Sequence, residues 1–221
     1  DAIYVQERND NTDEECKAAK EAWDALTDAQ KEEYLAIIEE ESLRLAAMAT
    51  NVMNLTKVEN QTILTDLTTF NLSEQIRACV LLLEEKWSRK ELDLDLEFPE
   101  YTIRANEELL KQVWINLLDN AIKYSHEEVK IDIICESEKG FCKIKVCDNG
   151  LGIPLKDQSL IFNRFERSAA VGRSGRGGAA GFGLGLNYVQ QVMLAHGGRV
   201  EVESEEGRFS EFTLYFPIET V

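Results

Sequence analysis

Apolar positions recur along this chain with two different periods, and the changes of period mark out its elements. Residues 1–26 are acidic and weakly patterned, with one short helix expected around Glu14–Leu26. From Asp28 to about Glu59 a long helix is predicted, free of Gly and Pro. In it Tyr34, Ile38, Leu45, Met48, Val52 and Leu55 form a seam of the coiled-coil kind, with Glu41 in the skipped position. A short strand, Leu67–Phe70, leads to Asn71 and Glu74, spaced as a capping box for a helix carrying Ile76, Val80, Leu83 and Trp87. Leu92, Leu94, Leu96 and Phe98 alternate as a strand ended by Pro99, and Tyr101–Arg104 is expected to pair with it. Asn106 then caps a helix reaching Ser125, with Leu110, Val113, Trp114, Leu117, Leu118 and Ala121 as its apolar stripe. Val129, Ile131 and Ile133 alternate, as do Ile144 and Val146 up to Asp148. Residues 149–182 are irregular and rich in Gly and Arg. A helix near Gly183–Ala195 follows, then a hairpin of Arg199–Ser204 with Phe209–Phe216 turning at Glu206-Gly207.

Helices and strands mix without regular βαβ alternation, so the class is α+β, a sheet covered on one face by helices. A Rossmann fold is disfavoured because the glycine-rich stretch comes late. The organisation reads as an unassigned segment 1–27, a helix 28–61 and a compact domain 62–221. The 221 residues are 44% hydrophobic, enough for a core, and carry a net charge of −17, which argues against nucleic acid and anionic membranes as partners. The longest uncharged apolar run, Ala78–Leu83, is far short of a membrane span. The chain starts at Asp1 and reads as an excised piece of something longer. Its five cysteines form no CxxC pair and read as reduced core thiols.

Candidate chemistry concentrates in three places. Asn116, Asn120 and Lys123 fall in a polar strip roughly 60° wide beside the apolar stripe of the central helix. Two carboxamides and an ammonium offer oxygens to a divalent cation and charge to a phosphate. Asp148-Asn149-Gly150-Leu151-Gly152-Ile153 comes straight off a strand. A carboxylate there can accept from an exocyclic amine, which adenine has and guanine lacks at that rim, while the glycines let a flat ring approach. Arg164–Arg176 holds four arginines against Glu166 in an otherwise acidic chain, which points to an anionic ligand. Gly181, Gly183 and Gly185 then open a helix whose N-terminus suits phosphate. A loop of this length in a compact domain reads as a lid, about 150–182.

Asn116–Asn120 with Lys123–Tyr124, Asp148–Gly152, Phe162–Phe165 and Gly181–Gly185 resemble the N, G1, F and G2 boxes of the sensor histidine kinases of bacterial two-component signalling. The similarity runs from about Asp28 to the C-terminus. Residues Glu32–Asn60 resemble the second helix of the dimerisation and phosphoacceptor hairpin. The remainder resembles the ATP-binding catalytic domain, a two-layer α/β sandwich of the Bergerat (GHKL) type shared with gyrase and MutL. That resemblance implies ATP and Mg²⁺ as cofactors, with Asn120 holding Mg²⁺ and Asn116 supporting the metal and phosphates. It implies that Lys123 touches phosphate, Tyr124 lines the site, Asp148 accepts from the adenine amine and Gly152 lies under the ring. Gly150, Ile153, Phe165, Gly181, Leu184 and Leu186 complete the implied site, with Gly183 and Gly185 wrapping the triphosphate. Arg164 or Arg167 would contact the γ-phosphate. The implied partners are the hairpin and the receiver domain of a response regulator. The implied setting is a cytoplasmic homodimer, with a membrane anchor in a missing N-terminal region left open.

The sequence departs from that pattern in one respect. The family's phosphoacceptor is a His followed by an acid and shortly by Arg and Pro. Here only His126 and His196 occur, neither in that setting. His196 ends a helix, where a partly charged imidazole would suit the dipole. The chain is therefore expected to bind ATP without autophosphorylating by itself. Two rivals stand beside this reading. A hydrolase or serine kinase on the same fold is disfavoured because Asn116 holds a carboxamide where hydrolytic relatives carry a Glu. The other is a silent nucleotide-binding or dimerisation module.

Overall fold

The computed structural model describes residues 2–60, 65–88, 90–96, 99–126, 128–138, 140–164 and 183–217. Phe165, Arg167, Gly181 and most of the expected lid lie outside them. The chain divides into two compact units, Asp1–Met48 and Ala49–Val221.

The first unit holds α1, Ala2–Asp24, and the start of α2, Asp28–Asn60. α1 is far longer than the short helix expected near Glu14, since its Ala, Glu, Lys and Gln favour helix without needing an apolar stripe. Thr27 opens α2 with a reciprocal box. Its Oγ1 accepts from the Gln30 N–H at 3.3 Å while its own N–H donates to Gln30 Oε1 at 3.0 Å. The seam residues Tyr34, Ile38, Leu45 and Val52 are all exposed.

The second unit builds a five-stranded sheet, ordered β2-β4-β5-β7-β6, and a separate two-stranded ribbon of β1 (Leu67–Asn71) with β3 (Thr102–Asn106). β2 is Glu91–Asp95, β4 Glu128–Glu138, β5 Phe141–Asp148, β6 Arg199–Glu205 and β7 Phe209–Pro217. β2 runs parallel to β4, and the other pairs are antiparallel. The expected pairing of 101–104 with the 92–98 strand is therefore wrong. Ser73 Oγ accepts from the Tyr101 N–H and donates to the Pro99 carbonyl, and the Leu72 N–H donates to the Tyr101 carbonyl. Those bonds tie residues 99–101 to the first turn of α3, Leu72–Leu82, and so deliver β3 to β1. Asn71 caps α3 through the Glu74 N–H, but the expected single helix breaks at Leu83 into α3 and the short α4, Glu84–Trp87.

One face of the sheet is covered by helices. α5, Glu107–Tyr124, begins as expected with Asn106 accepting from the Leu109 N–H, and its predicted stripe is buried throughout. α7, Gly185–Ala195, lies beside it, after the four-residue α6, Leu155–Gln158. Trp114 is 1% exposed and donates to Gln75 Oε1, whose amide nitrogen donates in turn to the Glu107 carbonyl, so α3 and α5 share a satisfied polar tie inside the core. β5 alternates buried and half-buried, which puts Cys142 inside and Cys147 on the outer face beside Glu211. Burial pushes the Cys79 thiol up to about 11 and the Cys135 thiol to about 12, while Cys16 is exposed and no core residue. His196 departs from expectation. It is half-buried at the end of α7, bonded to the Val192 carbonyl through Nδ1 and accepting the Asn106 N–H at Nε2. An acceptor nitrogen carries no proton, so the imidazole is neutral, and burial lowers its pKa.

Candidate functional site

α5 is the wall on which the predicted residues gather. Asn116, Asn120, Lys123 and Tyr124 are half-buried along its second half, with the two asparagines and Lys123 in a strip beside the core stripe. Near the end of the helix, the Tyr124 carbonyl accepts the Leu151 N–H at 3.0 Å, which docks the turn after β5 directly onto α5. That turn is tied from every side. Asn149 donates to the Glu128 carbonyl and accepts the Lys130 N–H, which fastens it to β4. The Gly207 N–H donates to the Leu151 carbonyl at 2.7 Å. The Ile153 N–H donates to Ser204 Oγ, and Gln158 bonds the carbonyls of both Ile153 and Ser204.

Asp148 sits at the root of this turn, 7% exposed. Its Oδ1 accepts the Gly150 N–H at 2.9 Å. Burial pushes its pKa up to about 6, against the lowering effect of that one bond. A buried carboxylate with so little compensation is poised to accept a further donor.

The glycines here answer to a different cause from the one the sequence suggested. A Cβ on Gly150 would meet the Tyr124 carbonyl oxygen at 2.6 Å, and one on Gly152 would meet that of Glu205 at 2.0 Å. Gly152 also has a φ of +60°. Both are glycine because protein backbone fills the side-chain direction, rather than to let a ring approach from that side.

At the other end, Gly183 (φ +68°) and the buried Leu184 bring the chain into α7. Among the described residues no side chain caps α7, and its first turn holds no acid. Its leading N–H groups carry the positive end of the helix dipole, an arrangement suited to an anion. A Cβ on Gly185 would lie 3.4 Å from Asn116 Oδ1, so the start of α7 abuts α5 at Asn116. Gln112 Nε2 reaches the same oxygen at 3.4 Å, while Asn116 Nδ2 is buried without a hydrogen-bond partner among the described residues. Lys123 Nζ lies 5.3 Å from the centre of the Tyr124 ring. Arg164, exposed, is the last described residue before position 165.

The architecture thus joins Asn116 to Gly185, and Tyr124 to Gly150 and Leu151, with Asn120 one helical turn beyond Asn116. Three contributors were missed from sequence. Ser204 and Gln158 brace the β5 turn, and Asn187 donates through Nδ2 to the Phe162 carbonyl. For Asn187 a signal existed: it is a polar residue set among Leu184, Tyr188 and Val189, where an apolar one was due.

Residues 105–220 match the family described as histidine kinase-, DNA gyrase B- and HSP90-like ATPases. The chain belongs to this family. Among its relatives is the circadian input-output histidine kinase CikA of Synechococcus elongatus, 30% identical over 204 residues, covering 90% of this chain and 26% of that protein. The signal transduction histidine-protein kinase ArlS of Staphylococcus aureus is 29% identical over 194 residues, covering 88% and 42%. The chain thus spans less than half the length of either relative. The nucleotide-free catalytic domain of the histidine kinase ThkA superposes with a TM-score of 0.58 at 29% identity, over 69% of this chain and 96% of that one. ThkA in complex with the response regulator TrrA gives 0.70 at 25% identity, over 98% and 60%. The expected α+β sandwich and the sensor-histidine-kinase type of ATP-binding domain are thereby established, and the Rossmann alternative is set aside.

Proposed function

We propose that this chain is the ATP-binding catalytic core of a sensor histidine kinase, passing the γ-phosphoryl group to a histidine held elsewhere for relay to a response-regulator aspartate. The observation that carries this reading is the meeting of two unlike ends along α5. One is an under-compensated buried carboxylate at Asp148, and the other is the uncapped start of α7 beside the unpartnered Asn116 Nδ2. The first fits an adenine amine and the second fits phosphate oxygens.

Each residue then has a defined task. Asp148 accepts from the amine and selects adenine. Tyr124 and Ile153 flank the base. Asn116 donates Nδ2 to a phosphate oxygen, a role an orphan donor fits and a cation ligand does not. The start of α7, through Gly183, Leu184, Gly185 and Leu186, lays its N–H groups on the triphosphate. Lys123 and Arg164 offset charge at its far end, with Arg167, Phe165 and Gly181 assigned there from sequence alone. Mg²⁺ fits the donor set through Asn120, whose neutral oxygen suits a hard cation shared with phosphate oxygens and water. When bound, the ion neutralises charge on the triphosphate. No carboxylate stands at position 116 to activate water, so these residues position a phosphoryl donor for an incoming nucleophile rather than hydrolyse it. The α2 segment is assigned to the hairpin, and the intact protein to a homodimer in the cytoplasm.

Calorimetry with ATP and Mg²⁺, followed by adding a separate acceptor hairpin, tests this. Phosphohistidine on the hairpin is expected. Free phosphate would favour a hydrolase, binding without turnover a silent module, and absence of ATP binding would overturn the reading.

A further inference from the structure

The polar ties around the site make one path from β5 to α7, and a single side chain closes it. From Asp148 the chain turns to Ile153, bonded to Ser204, and Gln158 clamps both. Past α6 it reaches Phe162, which is packed into the core. There Asn187 Nδ2 donates to the Phe162 carbonyl at 2.8 Å. A carbonyl only accepts, so the orientation of this amide is fixed by its partner. Asn187 is 6% exposed, and its Oδ1 is buried without a partner among the described residues. Burying a carboxamide for one bond costs stability that an apolar residue here would avoid. That cost is explained if the bond positions something.

We infer that Asn187 is a positioning residue for the nucleotide. It is the third residue of α7, within the first turn of that helix. Through Phe162 it fixes that turn to the segment running from Asp148, and through Gly185 the same turn rests against Asn116. This bond is a second tie between the two ends of the site, beside the one made through α5. The inference rests on the function proposed above and adds a residue that acts on phosphate without touching it.

The test uses the whole chain and two ligands, ATP with Mg²⁺ and adenosine, titrated by calorimetry. In Asn187→Ala the base end is intact but the start of α7 is released. ATP affinity is expected to fall about tenfold and adenosine affinity by less than about twofold. Asn187→Leu, with the same branched outline, removes the bond without opening a cavity and should give the same split. Parallel losses for both ligands, an unchanged ATP affinity, or failure of both variants to fold would each overturn the inference and leave Asn187 a purely structural residue. Absence of ATP binding in the unaltered chain would instead overturn the proposed function, which separates the two failures.

Discussion

The two ends of the site are built on opposite terms. At the end proposed for the base, the turn after β5 is fastened to α5, β4 and β6 by backbone and side-chain bonds, and its glycines are packed against carbonyl oxygens. At the end proposed for the phosphates, α7 begins without a side-chain cap among the described residues, and both buried side-chain polar atoms that lack partners among those residues, on Asn116 and Asn187, lie on α5 and α7. One end is complete by itself and spends its stability on a single buried acid. The other leaves hydrogen-bonding groups unmet among the described residues.

The same substitution at the two ends should expose this contrast most strongly. Gly152→Ala drives a methyl into the Glu205 carbonyl and strains a left-handed backbone, so a loss of about 3 kcal/mol or more is expected in chemical denaturation. A wild-type denaturation curve would show that the turn is looser than described.

Asp148→Asn sharpens the comparison at the carboxylate. Because burial raises its pKa to about 6, the folded chain holds this proton longer than the unfolded one. The stabilisation is present below about pH 4, is lost as pH rises towards 6, and stays lost above it. The amide should therefore make the empty protein more stable at neutral pH, by up to about 3 kcal/mol, and flatten that pH dependence. ATP affinity should fall by about tenfold or more in the same variant, since a carboxylate acceptor to a buried amine is lost. Stability and affinity moving in the same direction would break the assignment.

Gly185→Ala is the mildest. Its Cβ meets only ordinary contact with Asn116 Oδ1, so thermal stability should hold or rise slightly, by about 0.5–1 kcal/mol. ATP affinity should fall severalfold because the approach to the first turn is narrowed. A stability loss like that of Gly152→Ala would erase the distinction between the ends.

Much of this was legible in the chain. Asn71 and Asn106 were read as caps and are, because an N-cap is a local hydrogen bond. The stripe from Leu110 to Ala121 was read as core and is, because helical spacing decides it. The partner of β2 was not legible: alternation announces a strand but carries no address, and only the Ser73 and Tyr101 bonds send the following segment to β1 instead. α1 was underestimated because propensity without an apolar stripe is a faint signal. The reason for Gly150 and Gly152 was misread, since the Tyr124 and Glu205 carbonyls that demand them lie far off in sequence. Asn187 was passed over because its bond to Phe162 spans 25 residues.

The bare start of α7 also ties occupancy to folding. An anion seated on those amides completes the helix as a missing side chain would, so the ligand becomes the last piece of secondary structure. Melting temperature would then climb with triphosphate concentration, and heat alone could report what the molecule holds.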